Sequence, residues 1–100
     1  MAAELKAVFD RFVPLRRSGI TENKIGAAFT TSGHGTGGKE TTLISILQAM
    51  LIYNMIIVGD PKSAGGHYGV ACVGEPDEKA AEEARQLGKR VAALVKKLRA

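Results

Sequence analysis

Four glycines within six residues are the feature of this sequence best suited to chemistry. They are Gly33, Gly35, Gly37 and Gly38. The apolar segment Ile25 to Phe29 precedes them, and a second apolar segment follows Lys39. Because glycine has no Cβ, such a loop can adopt left-handed backbone angles and lets a ligand approach the main chain closely. Loop amides and a helix N-terminus add partial positive charge. A strand, a glycine loop and a helix in this order predict a site for a phosphate or a flat cofactor.

The loop matches two short phosphate-binding patterns by residue count. Gly33 to Gly38 fits G-x-G-x-x-G, and Asp60, which ends the next apolar segment, stands about 20 residues on, where a dinucleotide fold places an acid. Thr30 to Ser32 lie between the predicted strand and the loop, which departs from that pattern. Gly33 to Lys39 fits G-x-x-x-x-G-K, but Glu40 stands where a P-loop needs Ser or Thr for magnesium. Binding of an adenine nucleotide through Gly33 to Gly38 therefore stays an alternative.

Apolar periodicity predicts the elements that position the loop. Residues near Ala2 to Val13 form an amphipathic pattern that predicts a helix ending before Pro14. The glycine loop is followed by a helix over 39–54 that is apolar around much of its circumference, and a last helix opens near Pro76. Three apolar segments predict strands, at Ile25 to Phe29, Met55 to Val58 and Gly69 to Val73. The first lacks alternation, which is typical of a parallel strand covered on both faces. The order predicts one α/β domain over residues 1–100.

Composition excludes several classes of function. The net charge of +4 comes with no basic patch interleaved with aromatics, so we expect no nucleic-acid partner. The single cysteine, Cys72, excludes a disulfide framework and a cysteine-rich metal site, and two histidines without a carboxylate pair nearby predict no metal site. Neither a signal peptide nor a membrane-spanning run is present, so we expect a cytoplasmic protein with no membrane association.

Four segments of the chain resemble one known family. Phe29 to Thr42 is similar to the third flavin-binding loop of the flavodoxin-like NAD(P)H:quinone oxidoreductases, the tryptophan-repressor-binding-protein family, in which a Ser/Thr run and a short variable stretch precede Gly-Gly-Gln-Glu-Thr-Thr. Gly65 to Val70 resembles the family's Gly-Gly-Ser-Pro-Tyr-Gly-Ala. Glu75 to Gly88 resembles its closing helix, and Met1 to Arg11 the helix after its second flavin loop. The segments have the family's order and spacing, and together they cover the whole chain.

The resemblance implies the fold and the site residues. It implies a partial flavodoxin-like three-layer sandwich with a parallel sheet: the C-terminal half, which has the fourth and fifth strands of the order 2-1-3-4-5 and lacks the first three. It implies an FMN-binding redox protein, with no catalytic residue assigned. The residues expected to line the flavin ring and ribityl chain are Thr31, Ser32, Gly33, His34, Gly35, Thr36 and Gly37. His67 and Tyr68 are expected in a loop on the substrate side.

The resemblance also implies a partner. The phosphate-binding loop and the second flavin loop of the family have no counterpart in these residues, so we expect FMN binding by the isolated chain to be weak or absent. The strand at Ile25 to Phe29 would have an unpaired edge that neither lysine nor proline protects. We therefore expect a complementary N-terminal flavodoxin half, or self-association into a homo-oligomer, to complete the sheet.

The expected reaction follows from the family and has one departure. NAD(P)H and a quinone are the expected electron donor and acceptor. Many members carry His-Gly at the end of the helix that follows the loop, whereas this chain has Tyr53-Asn54, so that histidine is missing here. Tyr53 is either a stacking or hydrogen-bonding substitute or a core residue. A non-catalytic assembly subunit, or interaction module, stays open as the alternative function.

Overall fold

Helices and short strands alternate along the chain in a computed structural model that describes residues 1–99. The helices are α1 (Ala3–Arg11), α2 (Val13–Arg17), α3 (Lys39–Ile52) and α4 (Glu78–Arg99). The strands are β1 (Ile25–Gly26), β2 (Phe29–Ser32), β3 (Ile56–Ile57) and β4 (Val70–Val73), and one turn of 3-10 helix covers Lys62–Ala64. The predicted order of helices and strands is present, but the predicted strand at Ile25 to Phe29 is divided into β1 and β2 and extends to Ser32, and a second short helix follows α1.

Residues 25–32 form one extended segment, which pairs with β3 at its start and with β4 at its end. β1 pairs in parallel with β3, with Ile25 opposite Ile56, and β2 pairs in parallel with β4, with Phe29 opposite Val70. Backbone hydrogen bonds continue the ladder between the two pairs, since the N–H of Val58 donates to Gly26 O at 3.0 Å and that of Val70 to Ala28 O at 3.3 Å. The prediction of an α/β fold with parallel strands is confirmed.

The strand register assigns the helices to the two faces of the sheet. Successive strand residues point to opposite faces, and Ala28 packs in the core with Leu43 and Leu47 of α3. Leu5 and Phe9 of α1 pack against the same cluster, so α1 and α3 share one face. Ile25 and Ile56 point the other way, toward a groove that they form with the end of α4. These three layers position the glycine loop at the carboxyl end of β2.

The expectation that the first strand is covered on both faces is wrong for Phe29. Its side chain is 76% exposed, whereas its neighbour Ala28 is buried on the α3 side. α4 lies over β4 and the start of β1, and nothing within residues 1–99 covers Phe29. The outer edge of 25–32 is likewise unpaired among the described residues.

The first helix ends earlier than predicted. α1 stops at Arg11, and Pro14 lies in the first turn of α2 rather than after the end of a helix. The first turn of a helix tolerates proline because an N–H there has no intrahelical acceptor, so that the missing N–H of proline breaks no hydrogen bond. Helical structure therefore continues to Arg17. Val8 and Phe12, which belong to the predicted apolar face, are 42% and 49% exposed.

Candidate functional site

The glycine loop begins directly at the end of β2. The strand runs to Ser32, so Thr30 to Ser32 belong to it and do not separate strand from loop, contrary to the sequence expectation. The hydroxyl of Ser32 donates to the carbonyl of His34 at 2.6 Å, and the N–H of Gly37 donates to the same carbonyl at 3.0 Å. These two bonds close a tight turn around His34.

The imidazole of His34 folds back onto its own loop. Its Nδ1 accepts the backbone N–H of Thr36 at 3.2 Å and lies 3.0 Å from the Thr36 hydroxyl oxygen. Because Nδ1 accepts here, a neutral His34 carries its proton on Nε2. His34 and Thr36 thus stabilise the loop conformation, and the amides of Thr36 and Gly37 are used within the turn.

The loop glycines divide into two pairs. A Cβ on Gly37 would lie 2.7 Å from Ser32 Cβ and 2.9 Å from His34 O, and Gly38 has a left-handed φ of +69° where it caps α3. These two glycines are required by the turn itself. A Cβ on Gly33 or Gly35 would meet nothing within 4 Å, and neither has a positive φ. Their missing side chains leave open space in front of the main chain.

Lys39 and Glu40 begin the helix that follows the loop. The Lys39 ammonium donates to Gly35 O at 2.9 Å and lies 3.4 Å from Ser32 Oγ, so it closes the loop from the helix side. Glu40 is exposed in the first turn, where its charge is favourable toward the helix dipole. A lysine committed to loop oxygens and a carboxylate beside it do not form the phosphate-binding end of a P-loop.

The segment 59–69, called here the 60s loop, is fixed by a buried acid. Asp60 is 4% exposed, and its Oδ1 accepts the backbone N–H of His67 at 2.6 Å. Its Oδ2 lies 3.8 Å from Nδ1 of His67. Arg90 of α4 donates to Gly59 O at 2.7 Å. The carboxylate points inward, so the dinucleotide pattern that requires it at a ribose does not hold.

His67 and Tyr68 lie beside the start of α3. A cavity of about 210 Å³ is lined by Lys39 and Glu40 on one side and by His67 and Tyr68 on another. The side chain of His67 is 68% exposed, and Tyr68 is 48% exposed. The two predicted segments therefore meet through the first turn of α3, whereas residues 31–37 do not line this cavity.

An ion-pair network covers the exposed face of α4. Arg85 contacts Glu82 at 2.6 Å and Glu78 at 3.4 Å. The hydrogen bond from Arg85 lowers the pKa of Glu82, and the same bond, together with the charge of Glu78, raises the pKa of Arg85. Glu82 also lines an open cleft of about 710 Å³ between α4 and the 3-10 turn.

Comparison with known proteins finds relatives that match nearly the whole of this chain. No protein-family model matches it. It is 40% identical to an NAD(P)H dehydrogenase (quinone) of Archaeoglobus fulgidus over 103 residues, which cover 98% of this chain and 54% of that protein. It is also 40% identical to an iron-sulfur flavoprotein of Methanocaldococcus jannaschii over 102 residues, 96% of this chain and 52% of that protein. The chain is homologous to about half of a flavodoxin-like quinone oxidoreductase.

This homology confirms the resemblance seen in the sequence and its extent. The chain spans about half the length of the curated relatives that it matches across nearly all its residues. An iron-sulfur flavoprotein of Methanosarcina thermophila is 49% identical over 65 residues, 64% of this chain. Among residues 1–99, no helix is long and apolar enough to cross a membrane.

The iron-sulfur centre named in two relatives does not fit the present residues. A cluster held by thiolates needs four cysteines, and this flavodoxin-like half contains only Cys72. The described residues contain no group of three or more His, Cys, Asp or Glu side chains that could hold a metal ion. These residues by themselves do not form a cluster site.

Tyr53, which replaces the histidine of many family members, is a core residue. It is 6% exposed, its hydroxyl donates to Phe9 O, and its ring centroid lies 5.7 Å from that of Phe9. It follows the last turn of α3, about 20 Å from the glycine loop at 1.5 Å per residue. Tyr53 therefore joins α1 to α3 and does not reach a ligand at the loop. Asn54 adopts a φ of +62°, the conformation that suits the family's glycine.

Proposed function

We propose that these residues form one side of a flavin site in an NAD(P)H:quinone oxidoreductase, and that the flavin is FMN. The observation that carries this proposal is the open main chain at Gly33 and Gly35, where the fold itself requires no glycine. Because the turn does not need glycine at these two positions, the absence of a side chain there is explained by a flat ligand that lies close to the main chain. The homology to quinone dehydrogenases and flavoproteins supports the same ligand class.

The residues present fit this cofactor at its ring and ribityl side. The backbone of Thr31 to Gly37 would lie along the cofactor, with the loop held in shape by Ser32, His34 and Lys39. His67 and Tyr68 would face the electron acceptor across the cavity beside α3. A bound flavin supplies the transfer of a hydride or of single electrons, while the protein binds and orients it.

The remaining sides of the site are proposed to come from residues outside these 100. Residues 25–32 have a free edge, and Phe29 is 76% exposed beside it. On the same face lies a groove of about 620 Å³ with Ile25, Ile56 and Leu98 among its lining residues. An unpaired apolar edge favours pairing with another strand. A complementary flavodoxin half fits this surface, and the greater length of the relatives supports it over self-association.

The first test is a titration with FMN, followed by quenching of its fluorescence. The chain is titrated alone and with the part of the Archaeoglobus fulgidus relative that this chain does not match. We expect tight, stoichiometric binding only in the mixture. A monomer of the isolated chain that retained stoichiometric flavin would overturn the requirement for a second half. Thermal stabilisation by ATP or NAD⁺, but not by FMN, would instead favour an adenine nucleotide.

A matched pair of variants tests the role of the loop. Gly35→Ala adds a methyl group to the open space where the cofactor would lie, and Gly88→Ala adds one to α4, also with nothing within 4 Å. We expect Gly35→Ala to weaken FMN binding by about tenfold, a loss of ~1.4 kcal/mol. Gly88→Ala should leave the affinity unchanged. Equal affinities of the two variants would contradict the assignment of the loop to the flavin.

A further inference from the structure

Within the 60s loop, regular structure is confined to the 3-10 turn Lys62–Ala64, and glycines dominate the segment that follows it. It contains Gly65, Gly66 and Gly69, with φ values of +124°, +72° and +152°. Glycine-rich segments lose more backbone entropy on ordering than other residues do. This segment therefore needs a specific contact to hold one conformation. Burial does not hold it, because residues such as His67 are exposed.

The contact that meets this need is the buried carboxylate of Asp60. It stands at the start of the loop, is 4% exposed, and binds the N–H of His67 seven residues later. A hydrogen bond to a charged acceptor is stronger than one between neutral groups. Arg90 holds the same end of the loop through Gly59 O, at 2.7 Å, and Asp60 O, at 3.5 Å. The bond to His67 joins the two ends of the loop.

We propose that Asp60 is a positioning residue that closes the 60s loop before any ligand binds, and so places His67 and Tyr68 at the cavity beside α3. The loop then presents an imidazole and a phenol to the incoming molecule without an ordering cost at binding. The acceptor class, a quinone, rests on the proposed function. The closure of the loop by Asp60 does not.

Limited trypsin digestion tests the closure directly, because the exposed Lys62 lies inside the loop. In the chain of 100 residues we expect Asp60→Ala to be cut after Lys62 at least about tenfold faster than the unchanged protein. Asp60→Asn keeps an oxygen that accepts the His67 N–H, so its cleavage rate should return close to that of the unchanged protein. Asp77→Ala is the control, because it removes a carboxylate that accepts the N–H of Ala80, at 2.8 Å, outside the loop.

Two outcomes overturn the proposal. One is cleavage of a folded Asp60→Ala at the original rate, and the other is cleavage of Asp60→Asn as fast as Asp60→Ala. Circular dichroism establishes that each variant is folded. If Asp60→Ala does not fold, hydrogen exchange at the His67 amide is measured in the unchanged protein, where the bond to Asp60 should protect it. Exchange at the rate of an unprotected amide counts against the proposal.

A kinetic measurement tests the consequence in the flavin-loaded assembly. We expect Asp60→Ala to raise the KM for a benzoquinone by about tenfold with little change in FMN affinity, because only the acceptor side is disordered. Asp60→Asn should restore the KM. An unchanged KM in a variant whose loop is open would overturn the positioning role. If no assembly binds FMN, the proposed function fails, whereas the trypsin result still decides whether Asp60 closes the loop.

Discussion

At the scale of single residues, the structure separates glycines that the fold requires from glycines that it does not. Gly37 is enclosed by Ser32 and His34, whereas a side chain at Gly33 would enter open space. The sequence alone shows four equivalent glycines, because which one faces a neighbour depends on how the turn closes. Sequence patterns therefore locate the loop but do not assign its individual residues.

The first prediction concerns this difference between glycines. Gly37→Ala should lower the free energy of unfolding by about 1–3 kcal/mol, because the new methyl group must displace Ser32 or the His34 carbonyl. Gly33→Ala should leave stability unchanged or raise it by about 0.4–1 kcal/mol, since it restricts the unfolded chain at a compatible φ. Urea denaturation measures both. A Gly37→Ala protein as stable as Gly33→Ala would contradict the geometry of the turn.

The second prediction concerns Tyr53. Tyr53→Phe removes the hydroxyl that binds Phe9 O but keeps the ring packing. We expect a loss of about 1 kcal/mol in the free energy of unfolding, because a part-buried hydrogen bond to the Phe9 carbonyl is removed. FMN affinity of the completed assembly should not change, since Tyr53 lies at the far end of α3. If Tyr53→Phe had normal stability but bound flavin more weakly, Tyr53 would be a ligand contact and not only a core residue.

At the scale of elements, the sequence predicts the order of helices and strands better than their environment. Periodicity located α3 and α4 closely because each has a long apolar pattern. It failed at Pro14, where a helix starts instead of ending, and at Phe29, which is apolar yet exposed. The sequence places Asp60 at the end of an apolar segment and within a dinucleotide pattern, but it does not predict the bond to His67, because that bond depends on a loop folding back to offer its amide. Such long-range contacts leave no local pattern.

The third prediction concerns the pKa of Glu82 on α4 and its effect on stability at different pH values. The hydrogen bond from Arg85 lowers the pKa of Glu82 in the folded protein. A carboxyl group whose pKa is lower in the folded protein stabilises it at any pH above the pKa of the unfolded chain, which is ordinarily near 4.5. This stabilisation is lost as the pH falls through the pKa of the folded protein. In NMR titrations the Glu82 carboxyl should therefore titrate at a lower pH than it does in Arg85→Gln. Identical titration midpoints in the two proteins would show that the pair is not formed in solution.

At the scale of the whole molecule, an apolar edge and part of one face of the sheet are exposed among the described residues. The free edge of 25–32, Phe29 and the groove at Ile25 lie together, while the core lies beneath α1 and α3. The open edge at Ile25 to Phe29 was a prediction from the family resemblance and not from a local pattern, and pairing of another strand there stays a prediction. Sequence reasoning did not predict which side chains would form the exposed surface.

The fourth prediction tests this interface. Phe29→Glu should leave the stability of the chain nearly unchanged, because the side chain is 76% exposed. Its affinity for the complementary half should fall by about tenfold or more, since a charge would be buried in the apolar contact. Leu51→Glu, at another exposed apolar position, is the control and should bind normally. Analytical ultracentrifugation measures both, and equal binding by the two variants would contradict the assigned surface.

The 60s loop can vary in length independently of the rest of this molecule, because it leaves the sheet between β3 and β4. β3 and β4 pair in register with the same uninterrupted segment, 25–32, and the 60s loop leaves the sheet between them. Residues can be added to or removed from this excursion without shifting any strand pair. Homologous proteins can thus diverge in the surface around His67 and Tyr68 while they inherit the sheet and the glycine loop unchanged. The 60s loop is accordingly the place in this fold where a new surface can evolve, or be grafted, at the least risk to folding.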